Sequence, residues 1–92
     1  MNNNNKILVG KIVAPQGIRG EFRVQTYTES PLDFRDLRFT ISDLRFVRVV
    51  PNSDVIIMRM DGINDRNGAE SLRGTELFID RYSGDTQEIG YV

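Results

Sequence analysis

Ile7-Leu8-Val9-Gly10-Lys11-Ile12-Val13 runs into Pro15-Gln16-Gly17-Ile18-Arg19-Gly20 and then into Glu21-Phe22-Arg23-Val24-Gln25-Thr26. The first run is β-branched and of strand length. Pro15, Gly17 and Gly20 break it. The third run alternates, with Phe22 and Val24 facing one way and Arg23 and Gln25 the other. Two strands joined by a wide, ordered loop are therefore expected at the start of the chain, and they set an all-β reading for the remainder.

Downstream, Leu37–Ile41, Leu44–Val50, Val55–Met60 and Glu76–Ile79 read as further strands. Ser42-Asp43 is the expected turn between the first two of these, although it lacks the Asn-Gly or Asp-Gly signature. Arg48 shares parity with Leu44 and Phe46, which marks a bulge or a strand end. Phe22, Phe46 and Phe78 read as core by parity. Val55–Met60 is apolar on both faces apart from Arg59, so a barrel seam exposing it would offer a dimer surface. Around Ser30-Pro31-Leu32 the capping Ser and following Pro predict a single helical turn plugging one barrel end. One helix is expected within Asn64–Gly74, with Asp65 as N-cap, Ala69 and Leu72 as its apolar stripe and Gly74 at C′. Gly68 weakens its interior by about 1 kcal/mol relative to Ala, so the helix needs tertiary packing. The sum is a six-stranded, closed or nearly closed antiparallel β-barrel with one short helix before the last strand. Closure also removes the exposed edges of a flat sheet.

The 92 residues allow one domain and one core. Residues 1–6 are expected to be a disordered start, 7–80 the barrel, and 81–92 a linker or disordered tail. The chain has neither Cys nor His. That removes disulfides, nearly all zinc sites, the commonest general base and the usual nucleophile pairs. Asp61 and Asp65 flank one loop and could in principle hold Mg²⁺, but a turn acid and a helix cap describe them better. No enzymatic activity and no cofactor are expected. Neither a signal peptide nor a membrane-length apolar run is present, so the chain reads as cytoplasmic and free of membrane.

Twelve basic and 13 acidic residues leave a formal charge of −1. Autonomous nucleic-acid binding usually needs a basic excess, because phosphate neutralisation supplies its non-specific affinity. Ten of the twelve cations are Arg, however, a side chain suited to planar recognition, and a local basic patch is compatible with a neutral domain. The strand residues Arg23, Arg38, Arg45, Arg48 and Arg59 read as the solvated face of the barrel. Arg19 stands apart, held on a glycine-bounded loop where a partner can be met.

Val9-Gly10-Lys11-Ile12-Val13, Gly17-Ile18-Arg19-Gly20-Glu21-Phe22-Arg23-Val24 and Asp65-Arg66-Asn67-Gly68-Ala69-Glu70-Ser71-Leu72-Arg73-Gly74, followed by Glu76-Leu77-Phe78-Ile79, together resemble the N-terminal domain of the bacterial RimM ribosome maturation factors. The likeness runs from about Ile7 to Ile79. It implies the six-stranded barrel shared with translation-factor domains, and a non-enzymatic assembly role on the immature small (30S) ribosomal subunit. The partners it implies are the subunit head, its 16S rRNA and the nineteenth small-subunit ribosomal protein. Members usually continue into a PRC-type barrel whose paired tyrosines are tied to ribosomal-protein binding. Near its end this chain has the isolated Tyr82 and Tyr91, so that second barrel and its site are expected to be absent. Gln16 stands where the family typically has His, and any role of that His is not carried over.

The expected partner-binding residues are Gly17, Arg19 and Gly20 in the first loop, with Arg66 and Arg73 around the helix. Arg73 has a competing role on the helix C-terminal carbonyls; Arg66, at the opposite end, does not. A monomer is expected. The alternative is an autonomous RNA-binding, OB-like barrel, which would need exposed aromatic platforms and basic residues.

Overall fold

The computed structural model describes residues 5–80, so the expectations for residues 1–4 and 81–92 lie outside the described residues. The elements are β1 (Lys6–Gln16), β2 (Glu21–Thr26), a 3₁₀ turn (Pro31–Arg35), β3 (Leu44–Val49), β4 (Val55–Met60), α1 (Arg66–Ser71) and β5 (Glu76–Asp80). The five strands form one sheet in the order β3-β4-β2-β1-β5, every pair antiparallel.

The alternation read from β2 holds. Phe22 and Val24 are fully buried, and Ile12, Ile56, Met58 and Leu77 join them in one core with Val9, Phe34 and Ala69. Burying side chains of this size contributes about 1.5–3 kcal/mol each. Arg48 does mark a bulge. The β3–β4 register shifts between Phe46 and Arg48, so Phe46 packs inward while Arg48 stays on the outside. The helical turn after Ser30 forms as 3₁₀, its Asp33 amide donating to the Ser30 carbonyl at 3.0 Å. It drives Phe34 to 1% exposure against Phe39, with ring centroids 5.4 Å apart. Gly10 lies beneath: a Cβ there would stand 2.9 Å from the Phe34 ring, so the plug seats only on a glycine.

Four expectations are corrected. Leu37–Ile41 is not a sixth strand. Leu37, Phe39 and Ile41 do pack on the core while Arg38 and Thr40 are exposed. Yet the segment's pairing is a single bridge, Phe39 to Ile79, with the Thr40 amide donating to the Phe78 carbonyl at 2.8 Å. The cause lies in the next turn. Asp43 takes a φ of 70° and its carbonyl accepts the Asp61 amide at 3.1 Å, which directs β3 onto β4 instead of back onto residues 37–41. The sheet is thus a five-stranded half-barrel whose β3 and β5 edges are linked through residues 37–43.

Second, Phe78 is not core. Leu77 and Ile79 take the inner positions, and Phe78 lies on the outer face opposite Leu8. Third, β4 is no exposed seam, because it lies between β3 and β2 with Ile56, Ile57 and Met58 buried. Fourth, Gly74 falls two residues beyond the helix cap at Leu72, with φ 90°, and donates to the Ile12 carbonyl at 2.8 Å.

Candidate functional site: a braced loop on the β1–β2 turn

The loop between β1 and β2 carries three of the five expected contact residues, and the helix region carries the other two. Four of the five come together. Gly20 has φ 95°, a backbone conformation that suits glycine, and a Cβ there would run into the Ile63 carbonyl. The loop thus lies directly on the segment that leads into α1. From the helix side, Arg66 Nη1 donates to the Gly17 carbonyl at 3.0 Å. The helix start is itself fixed, because the Asp65 carboxylate accepts the Gly68 amide at 2.8 Å. The loop is braced at both glycines.

Arg66 is therefore a brace, although its side chain remains at an exposed position. Arg73 lies apart from this group and is also structural. Its Nε and Nη2 grip Glu70 at 2.6 and 3.0 Å, and its Nη1 donates to the Val13 carbonyl at 2.8 Å. The competing role expected of it takes this form, with a β1 carbonyl as acceptor. Hydrogen bonding from Arg73 holds the Glu70 carboxyl below its ordinary range, and the same bond raises the Arg73 guanidinium.

Arg19 is what the brace presents. It is exposed and makes no hydrogen bond or ion pair among the described residues. Beside it Ile18 is 79% exposed, an apolar side chain with no packing role. Gln16, Gly17, Ile18, Arg19 and Glu21 line an open hollow of about 500 Å³, and its sixth wall residue is Arg48 from the β3 bulge. Gln16 accepts a hydrogen bond from Arg23 Nη1 at 3.0 Å. The sequence pattern marks Arg48 and Arg23 only as solvated positions. The break in parity at Arg48 is the one signal that its strand is irregular.

Asp61 accepts a bidentate pair from Arg45 at 2.7 and 2.8 Å, and Asp65 caps α1. Among the described residues no group of three or more His, Cys, Asp or Glu is placed to hold a metal ion. Among them, too, no helix is long and apolar enough to cross a membrane.

A five-stranded half-barrel with one short helix before the last strand and a braced, arginine-tipped first loop defines a small antiparallel β domain. The chain belongs to the RimM N-terminal domain family, whose model matches residues 7–83. It is similar to the ribosome maturation factor RimM of Agrobacterium fabrum, at 46% identity over 81 residues, covering 84% of this chain and 43% of that protein. The ribosome maturation factor RimM of Mesorhizobium japonicum is 41% identical over 86 residues, covering 84% of this chain and 41% of the relative. A crystal structure described as a 16S ribosomal RNA processing protein, RimM, from Pseudomonas aeruginosa matches with a TM-score of 0.67 and 32% identity. That match covers 85% of this chain and 52% of the other. The chain spans under half the length of these curated relatives.

Proposed function

We propose that this domain is a non-enzymatic docking module in maturation of the small ribosomal subunit, seated on the head of the immature particle. Its relatives' names, ribosome maturation factor and 16S ribosomal RNA processing protein, supply the process. The observation that carries a docking role is the braced loop. Arg66 and the Ile63–Asn64 backbone hold Gly17 and Gly20 in place, so Arg19 and Ile18 are presented on an ordered surface. A preordered loop loses less conformational entropy on binding.

Gly17, Arg19 and Gly20 are the contact segment of this reading. Arg66 supports it from behind, and Arg73 ties the helix end to β1. The partners are the subunit head with its 16S rRNA and the nineteenth small-subunit ribosomal protein, with the main protein contact in the family's PRC-type barrel. Of the three aromatics expected in the core, Phe22 is fully buried and Phe46 packs on the core, which counts against the OB-like alternative, whereas Phe78 on the outer face does not.

The test is recovery of immature and mature small subunits by the immobilised chain. Preferential recovery of the immature particle is expected. Equal and negligible recovery of both would overturn the proposal.

A further inference from the structure

The strand arginines become one surface only when the register is known. In the β3–β4 ladder Arg45 lies opposite Arg59, and Arg48 opposite Ile57; in the β2–β4 ladder Arg23 lies opposite that same Ile57. Cross-strand partners share a face, and Ile56 and Met58, the neighbours of Ile57, point into the core. Arg23, Arg45, Arg48 and Arg59 therefore all stand on the outer face of β2, β4 and β3. Strand spacing puts Arg23 and Arg48 on Cα positions about 10 Å apart, with the Arg45–Arg59 row about 7 Å further along. Arg19 completes the set from the loop, sharing its hollow with Arg48.

Three features separate this face from an ordinary solvated one. The first is a like-charge pair, Arg45 directly opposite Arg59, an arrangement that destabilises a sheet unless an anion offsets it. Asp61 engages Arg45 in a bidentate pair and its charge also acts on Arg59, although no acid among the described residues lies within ion-pair distance of Arg59. The second is the lack of side-chain partners: the Arg19 and Arg48 side chains make no hydrogen bond or ion pair among the described residues, and the Arg23 side chain bonds only the neutral Gln16. The third is contrast. On the β1–β5 side of the same sheet, Lys11 lies opposite Glu76 and Lys6 pairs with Asp80 at 3.6 Å. Charge is matched there, whereas on β2–β4–β3 Glu21 and Asp61 offset only part of the arginine charge.

We infer that this outer face, Arg19, Arg23, Arg48 and Arg59 with Arg45 at its rim, binds the phosphate backbone of structured RNA. The inference rests on the docking role proposed above and gives that role its ligand chemistry. Guanidinium groups with no aromatic side chain among them suit phosphates and not bases, so recognition is of backbone shape. The near-zero net charge is no obstacle, because the excess is local to one face.

The experiment is a fluorescence-anisotropy titration of the full 92-residue chain with a labelled RNA hairpin of about 20 nucleotides. About three phosphate contacts predict that affinity falls about 40-fold between roughly 50 and 200 mM salt. Arg19→Ala with Arg48→Ala should weaken binding at least about tenfold at low salt, as expected for losing two charge-assisted contacts. Both side chains are unpaired among the described residues, so the thermal unfolding midpoint should stay unchanged. The control is Arg35→Ala with Arg38→Ala, which removes the same charge from exposed positions elsewhere and should leave affinity intact. Three results would overturn the inference: no binding at low salt, equal loss in the control variant, or poly-glutamate competing as well as unlabelled RNA. Recovery of immature subunits is a separate readout. If the chain recovers them without binding the hairpin, this inference fails and the docking role stands. Hairpin binding without subunit recovery overturns the docking role and supports the phosphate-binding face.

Discussion

Residues 17–20 and residues 37–43 invert what their sequences advertise. The first segment is Gly-Ile-Arg-Gly, a composition of turns, and it is tied down by the Arg66 bond to Gly17 and the seating of Gly20 on Ile63. The second contains Leu37, Phe39 and Ile41 at alternate positions, a strand pattern, yet it forms no ladder and meets β5 at the Phe39–Ile79 bridge. Order depends on partners within reach. A strand pattern fixes which side chains face the core, whereas a ladder also needs a neighbour in register.

The largest expected effect tests what the second segment rests on. Phe34→Ala removes the plug against which Phe39 packs and should cost about 3–5 kcal/mol in urea unfolding. In a domain this small, such a loss approaches unfolding. Next comes the brace of the first segment. Gly20→Ala forces a side chain into positive φ and against the Ile63 backbone, with an expected cost of about 3 kcal/mol. Gly17→Ala, at φ 71° with open space around it, should cost only about 1 kcal/mol. Equal costs at the two glycines would break the idea of a seated loop. A smaller effect is expected from Asp65→Ala, which removes the helix cap and should cost about 1 kcal/mol.

The smallest effect is electrostatic, at the turn where residues 37–43 hand the chain to β3. Hydrogen bonding from Arg45, opposed by partial desolvation, holds the Asp61 carboxyl below its ordinary value. A depressed folded-state value means that the pair's contribution is present above the unfolded carboxylate range. It is lost as pH falls through the lowered value. Carboxyl NMR titration should place Asp61 below an ordinary Asp, and Arg45→Ala should return it upward. An unmoved midpoint would detach Arg45 from Asp61.

Local features were legible in the sequence because their causes are local. The parity of β2, the Asp65 cap, the Pro31 turn and the irregular position of Arg48 each depend on a few neighbouring residues. The missing sixth strand was not, since it turns on Asp43 meeting Asp61 across the fold. Phe78 misled for a related reason: Leu77 and Ile79 took the inner positions, and parity inside a short apolar run does not say which set will win. The candidate site divided in the same way. Glycines and Arg19 on the first loop were visible as a motif, but Arg66 as a brace and Arg73 as a tie to β1 required the contacts. The arginine face was the least legible, because a single face assembled from three strands exists only through their register.

The central claim is that the braced first loop presents Arg19 to the immature small subunit. The most direct measurement compares recovery of immature subunits by the native chain and by Arg19→Ala at one salt concentration. The account predicts recovery by the native chain and a loss of about tenfold or more in the variant, with an unchanged unfolding midpoint, as for removal of a charge-assisted contact at an interface. Equal recovery by the two chains would contradict it.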